Sequence, residues 1–130
     1  MKPIKNLKSV ISLEDMAFHS PIGYYESERV QKNYFNVNVA VTFETNHSDN
    51  TEDLSKTVNY ENIYNIVKKA MNQTAQLMET PARQIISDIL ELSSIDLLSI
   101  HVKICKLQPP LPGKVGQSCV AFHYENPPFK

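Results

Sequence analysis

The stretch that decides the fold is residues 34–43, YFNVNVAVTF, in which apolar side chains occupy every second position. Such alternation is typical of a β-strand that buries one face and exposes the other. The buried face would consist of Phe35, Val37, Val39, Val41 and Phe43. A sheet covered on one side is therefore the first expectation.

Strand patterns also occur on both sides of this stretch. Residues 8–18 are rich in β-branched and apolar side chains, and the loop Ser20-Pro21-Ile22-Gly23 follows them. Apolar and polar residues alternate again in 98–105 and in 119–124. Residues 44–57 are polar and rich in turn formers, so we expect a loop there, with room for a short helical turn.

Two helices are expected between the second and third strands. From Tyr60 onward apolar residues recur every three or four positions, which predicts an amphipathic helix over 60–77. Thr80 and Pro81 indicate a second helix start, because threonine caps free N–H groups and proline suits the first helical position. That helix would run to about Leu92. The order ββααββ predicts an α+β fold, an antiparallel sheet with two helices on one face.

Length and charge limit the function classes. A chain of 130 residues has room for one core, so we expect a single domain over 1–130. The net charge is −1 and the basic residues are scattered, which argues against a nucleic-acid partner. No apolar run is long enough to span a membrane, and no apolar segment follows the N-terminal lysines, so a cytoplasmic location is expected.

The sequence offers little for a metal or a phosphate group. The four histidines show none of the usual ligand spacings, and three glycines are too few for a phosphate-binding loop. Cys105 and Cys119 would face each other if the last two strands form a hairpin centred on Pro112. A reversible disulfide is conceivable there, although two reduced thiols are the simpler expectation.

Two charged residues break the apolar patterns. Lys106 continues the parity of the apolar residues in 98–105, so its side chain should emerge on the covered face, unless the strand ends early and the ammonium reaches water. A lysine in a partly dry pocket can exchange protons with a substrate. Glu79 lies at the junction of the two helices, where it can stabilise the helix dipole or bind a heterocycle through two hydrogen bonds. We place both in the active site of a small, metal-independent enzyme.

Two further polar residues have ordinary explanations as well as functional ones. Tyr60 opens the first helix, where it could pack as an amphipathic aromatic, or stack on a flat ligand and move a proton. Glu28 lies between two strands and would ordinarily be solvated surface. Neither residue indicates a function by itself.

Four short segments occur in a characteristic order: 22–28 IGYYESE, 57–60 TVNY, 77–79 LME and 106–113 KLQPPLPG. In this order and spacing the sequence resembles the dihydroneopterin aldolase family of folate biosynthesis, over nearly its whole length. The resemblance implies the tunnelling fold, in which four ββααββ subunits join their sheets into an oligomeric barrel. Two such rings commonly stack into an octamer.

The resemblance also implies how the substrate binds. Glu79 would anchor the pterin by its 2-amino group and N3–H. The backbone around Val58, Leu77 and Met78 would help to hold the ring. Tyr60 would come from the neighbouring subunit and cover the pterin, so the partners implied are a pterin and further copies of this chain.

Catalysis would then need few residues. Lys106 and Tyr60 would move the protons of a retro-aldol cleavage through water, with Glu28 near the trihydroxypropyl chain, while the pterin's own C=N accepts the electrons. The products would be 6-hydroxymethyl-7,8-dihydropterin and glycolaldehyde, with no metal, cofactor or Schiff base. Three alternatives stay open: a dihydroneopterin triphosphate epimerase, an aldolase that forms a Schiff base on Lys106, and a non-catalytic pterin-binding scaffold.

Overall fold

The computed structural model describes residues 4–45 and 52–127, so part of the loop expected over 44–57 lies outside the described residues. The strands and helices follow the expected order, with one short helix more. They are β1 (Lys8–Ser20), α1 (Glu26–Gln31), β2 (Asn33–Glu44), a 3-10 turn (Leu54–Lys56), α2 (Tyr60–Met71), α3 (Glu79–Leu92), β3 (Leu97–Leu107) and β4 (Gln117–Glu125).

Within the described residues, four strands form one antiparallel sheet in the order β1-β2-β3-β4. In β2 the alternating side chains are buried on one face and partly exposed on the other, as its sequence predicts. Both α2 and α3 pack on the buried face, and the core lies between them and the sheet. The α+β fold is therefore confirmed, and β1 and β4 are left as the two edges.

α2 is shorter than its apolar pattern predicts. It ends at Met71 because the following residues turn away to meet the loop after β1. The Ala75 N–H donates to the Pro21 carbonyl at 3.2 Å, and the Gly23 N–H donates to the Ala75 carbonyl at 3.0 Å. These bonds replace helical ones, so the predicted end at residue 77 was wrong.

α3 begins one residue before the threonine that was expected to cap it. Glu79 is its first residue, Met78 occupies the cap position without a side-chain bond, and Thr80 and Pro81 lie inside the first turn. Proline is tolerated there because the first N–H groups of a helix have no partner within it. The predicted capping by Thr80 was wrong, whereas the end at Leu92 was confirmed. Among the described helices, none is long and apolar enough to cross a membrane.

α1 is the helix that the sequence does not reveal. None of its six residues is buried, so no apolar period marks it. Its position is fixed by Arg29, whose Nη1 donates to the carbonyls of Gly23 and Tyr24 at 2.9 and 2.8 Å. These bonds hold α1 against the loop after β1.

The last two strands form the hairpin that their sequence predicts, with Cys105 directly opposite Cys119. The structure places the two sulfurs within bonding distance, as a disulfide, whereas the sequence favoured two reduced thiols. Direct pairing across an antiparallel ladder brings the two sulfurs close enough to bond. Cys105 is buried, whereas Cys119 is exposed.

Candidate active site

Lys106 and Glu28 form an ion pair at one end of the sheet. Lys106 lies on β3 between Phe35 of β2 and Ser118 of β4, and it keeps the parity of the buried apolar residues. Its Nζ is 2.9 Å from Glu28 Oε2, and the two side chains are only 14% and 13% exposed. The ammonium therefore meets a carboxylate rather than bulk water.

Glu28 is held in place by three donors. Its Oε1 accepts a hydrogen bond from the Tyr25 N–H at 3.3 Å. Its Oε2 accepts from Asn33 Nδ2 at 3.1 Å and from Lys106 Nζ at 2.9 Å. The expectation of a solvated surface glutamate was wrong, because α1 turns this side chain toward β3.

These contacts also set the protonation state of Glu28. Burial by itself raises the pKa of the Glu28 carboxyl, but hydrogen bonds from Lys106, Tyr25 and Asn33, together with the Lys106 charge, more than offset that effect. The net pKa lies below the usual glutamate value. Glu28 is therefore a carboxylate at neutral pH.

The loop after β1 forms the wall behind Glu28. Gly23 is buried there, and a Cβ on it would lie 2.5 Å from Glu28 Cβ. Asn33 Nδ2 donates to the Ile22 carbonyl at 3.0 Å as well as to Glu28. Neither Asn33 nor Gly23 was among the predicted site residues. Their contacts depend on α1 and on a loop, and neither segment carries a periodic signal.

Glu79 lies at the N-terminus of α3, beside an open groove of about 410 Å³. Its side chain is exposed, and the positive end of the helix dipole favours a negative charge there. The other residues that line the groove are Thr80, Arg83, Gln84, Ser87 and Phe122. A carboxylate at the mouth of a groove with an aromatic wall suits a flat ligand that carries two adjacent N–H donors.

Leu77 and Met78 lie at the same end of the molecule as the ion pair. Met78 packs against the core, whereas Leu77 is 51% exposed. The segment that contains them is tied to the loop after β1 by the bridge between Ala75 and Ile22. Glu79 and the ion pair therefore lie on neighbouring segments.

Val58 and Tyr60 lie at the opposite end of the molecule. Tyr60 begins α2, which runs for 12 residues before its other end approaches the loop after β1. A helix of that length spans about 18 Å. Val58 lines a cavity of about 250 Å³ together with Ser93 and Ile95, which precede β3. Within one chain, the length of α2 separates the exposed Tyr60 from Lys106.

The chemistry that one chain offers at this end is recognition and proton transfer. The ion pair can exchange a proton with a bound molecule, and Glu79 can accept two hydrogen bonds. Within residues 4–45 and 52–127, no group of three or more histidine, cysteine, aspartate or glutamate side chains is placed to hold a metal ion.

Comparison with solved structures supports this fold. The dihydroneopterin aldolase of E. coli in complex with neopterin superposes with a TM-score of 0.77, at 14% identity, over 89% of this chain and 98% of that one. The enzyme from Burkholderia thailendensis bound to guanine gives a TM-score of 0.73, at 16% identity, over 92% and 93% of the two chains. At these identities the likeness shows a shared fold.

Sequence comparison identifies the family. The dihydroneopterin aldolase of Bacillus subtilis (strain 168) is 27% identical over 104 residues, which are 79% of this chain and 86% of that relative. The family model FolB, dihydroneopterin aldolase, matches residues 11–123. Because that match covers most of the chain, the protein belongs to the dihydroneopterin aldolase family, whose retro-aldol reaction serves folate biosynthesis.

Proposed function

We propose that this protein cleaves the C1′–C2′ bond of 7,8-dihydroneopterin to give 6-hydroxymethyl-7,8-dihydropterin and glycolaldehyde. The observation that carries the proposal is the shielded Glu28–Lys106 pair in a chain of this family. An ammonium and a carboxylate held together provide a proton donor and a proton acceptor at one position. A retro-aldol reaction requires such an exchange.

The reaction moves two protons. Removing the proton of the 2′-hydroxyl breaks the C1′–C2′ bond, releases glycolaldehyde and leaves the bonding electrons in the pterin as an enamine. A second proton then adds to C1′ and forms the hydroxymethyl group. Water carries the hydroxyl proton to the Glu28–Lys106 pair, and Lys106 and Tyr60 then return a proton to C1′ through water, while Glu28 holds the Lys106 side chain near the trihydroxypropyl chain. Since the pterin ring stores the electrons, the mechanism uses no metal, cofactor or Schiff base.

Glu79 recognises the pterin in this proposal. Its two oxygens accept hydrogen bonds from the 2-amino group and N3–H, and the backbone around Val58, Leu77 and Met78 supports the ring. The exposed position of Glu79 beside the groove supports the assignment. Guanine and neopterin, the ligands of the two solved structures, both carry this pair of donors.

A second copy of the chain completes the site. Tyr60 and Val58 lie at the end of the molecule away from Lys106, so they would reach the pterin from a neighbouring subunit. The edge strands β1 and β4 leave backbone groups for pairing between copies. A homo-oligomer whose sheets join into a barrel, as a tetramer or octamer, meets both requirements. The cytoplasmic location stays a prediction.

The test is conversion of dihydroneopterin by the purified protein, with chromatography of both products. We expect EDTA to leave turnover unchanged, and borohydride to trap no substrate adduct on Lys106. A trapped adduct would replace the proposed mechanism by a Schiff base, and loss of activity in EDTA would require a metal. Absence of product from both dihydroneopterin and its triphosphate would contradict an enzymatic role, while epimer without cleavage would favour an epimerase.

A further inference from the structure

We propose that Asn33 is a positioning residue, whose side-chain amide fixes the Glu28 carboxylate in the orientation that receives the Lys106 ammonium. The inference rests on the proposed function in one respect only, namely that this ion pair takes part in catalysis. Its structural basis is the set of hydrogen bonds around Glu28.

The Asn33 amide connects the ion pair to the backbone. Its Nδ2 donates to Glu28 Oε2 at 3.1 Å and to the Ile22 carbonyl at 3.0 Å, which uses both of its hydrogens. Ile22 is fully buried and is bridged to Ala75. The amide is therefore anchored to a fixed part of the fold.

Two donors converge on one oxygen of the carboxylate. Glu28 Oε2 accepts from Lys106 Nζ at 2.9 Å in addition to Asn33, while the Tyr25 N–H, at 3.3 Å, is the longer contact on Oε1. Without the amide, the carboxylate could rotate about its last bond and carry the ammonium with it. Proton transfer depends steeply on such positions, because it requires hydrogen-bond reach to the substrate.

The residue type matters as well as the position. An aspartate of the same size would lack the N–H donors and would place a second negative charge beside Glu28. A leucine of similar size would leave Oε2 with the lysine alone. Both changes remove a hydrogen bond to the ionised form, so both should raise the pKa of Glu28 above its present low value.

Steady-state kinetics of Asn33→Leu test the proposal. We expect kcat to fall about tenfold or more, KM to stay within about twofold, and the acidic limb of the pH–rate profile to move to higher pH. Asn33→Gln keeps both amide hydrogens and should recover part of kcat. Asn36→Leu, at a partly buried asparagine of the same strand, is the matched control and should behave like the wild type.

A second measurement does not depend on activity. In a ¹³C NMR titration of the Glu28 carboxyl carbon, Asn33→Leu should show a higher pKa than the wild type, and Asn36→Leu should not. If the wild type makes no product but this rise is seen, the proposed function fails and the positioning role stands. A variant with wild-type kcat, acidic limb and Glu28 titration would overturn the role. If Asn33→Leu does not fold, as circular dichroism will show, Asn33→Asp is read by the same criteria.

Discussion

At the scale of single residues, the two glutamates assigned to the site differ in their surroundings. Glu28 is 13% exposed and accepts three hydrogen bonds, one of them from Lys106. Glu79 is exposed at a helix N-terminus beside an open groove. A carboxylate already satisfied by the protein is suited to orienting a neighbour, whereas an exposed one is free to bind a ligand.

Replacing Lys106 and replacing Glu79 should therefore impair different steps. Lys106→Ala removes a proton carrier but not the groove, so kcat should fall by about 100-fold or more while pterin binding is retained. Glu79→Ala removes two hydrogen bonds to the ligand and should weaken binding by about tenfold or more. Fluorescence titration with neopterin measures binding, and product formation at saturating substrate measures turnover. Loss of both properties in both variants would argue against the division of roles.

The pH dependence of stability should report Glu28. Its pKa is lowered in the folded state, so the carboxylate stabilises the fold above the usual glutamate pKa, and this contribution is lost as the pH falls through the lowered value. Glu28→Gln should thus be less stable than the wild type at neutral pH, and the difference should shrink in acid. Urea unfolding over that range measures it. A difference that stays constant with pH would show that the ion pair does not contribute through ionisation.

Gly23 should tolerate no side chain. Its φ is not positive, so the barrier is steric: a Cβ would lie 2.5 Å from Glu28 Cβ, an atom close to the backbone of α1. Gly23→Ala should cost about 1–3 kcal/mol of stability and displace Glu28, with a matching loss of kcat. Gly116→Ala is the control, because no atom lies within 4 Å of a Cβ there. Equal activity in the two variants would contradict the steric argument.

At the scale of elements, sequence patterns predict the features that depend on burial in the core. The alternation in β2, β3 and β4 predicts which side of each strand is buried. A shift of one residue in the strand register would expose the whole apolar face. The same parity predicts the direction of Lys106, since it follows the buried residues of β3. A segment that is held by hydrogen bonds to backbone groups, and that has no buried apolar face, shows no apolar periodicity in its sequence. α1 is one of these, and Glu28 could not be located without it.

At the end of α2 the sequence pattern predicts helical residues that the structure does not have. Apolar residues continue at helical spacing beyond Met71, so the pattern alone extends the helix. In the fold, Ala75 instead joins a backbone bridge to the loop after β1, and Met78 packs against the core from the connection to α3. Burial is common to both arrangements, so periodicity cannot distinguish a helix from a packed connection here.

The hairpin of β3 and β4 carries a prediction at this scale. The disulfide links residues 14 apart, and a loop of that size is worth about 3 kcal/mol in the chain-entropy account. A reductant should therefore lower the free energy of unfolding of the wild type by about 2–3 kcal/mol. Cys119→Ser replaces the exposed partner and should be insensitive to reductant. Identical wild-type stability in both conditions would mean that the bond contributes nothing.

The disulfide also bears on the expected location. Glutathione keeps most cytosolic thiols reduced, so a persistent disulfide would be unusual in a cytoplasmic enzyme. Alkylation of the two cysteines in freshly lysed cells distinguishes a bond that forms in the cell from one that forms on isolation. Reduced thiols in that experiment would be consistent with the cytoplasmic location that the sequence predicts.

At the scale of the whole molecule, the proposed site is divided between the two ends of one chain. Lys106, Glu28 and Glu79 lie at one end, whereas Tyr60 and Val58 lie at the other. A single copy cannot bring both groups to one pterin, because α2 lies between them. Repetition of the chain around a ring would place the far end of each copy against the near end of the next.

Mixed oligomers should reveal this division. Lys106→Ala and Tyr60→Ala should each be nearly inactive alone, but co-expressed subunits should recover about a quarter of wild-type activity, because a random neighbour pair supplies an intact Tyr60 and an intact Lys106 in one site out of four. Lys106→Ala mixed with Glu28→Ala is the control. Both residues come from the same end of one copy, so no arrangement of those subunits restores the ion pair. No recovery in the first mixture would place Tyr60 outside its neighbour's site. Recovery in the control would mean that mixing restores activity without complementary sites, and would remove the support that the first mixture gives.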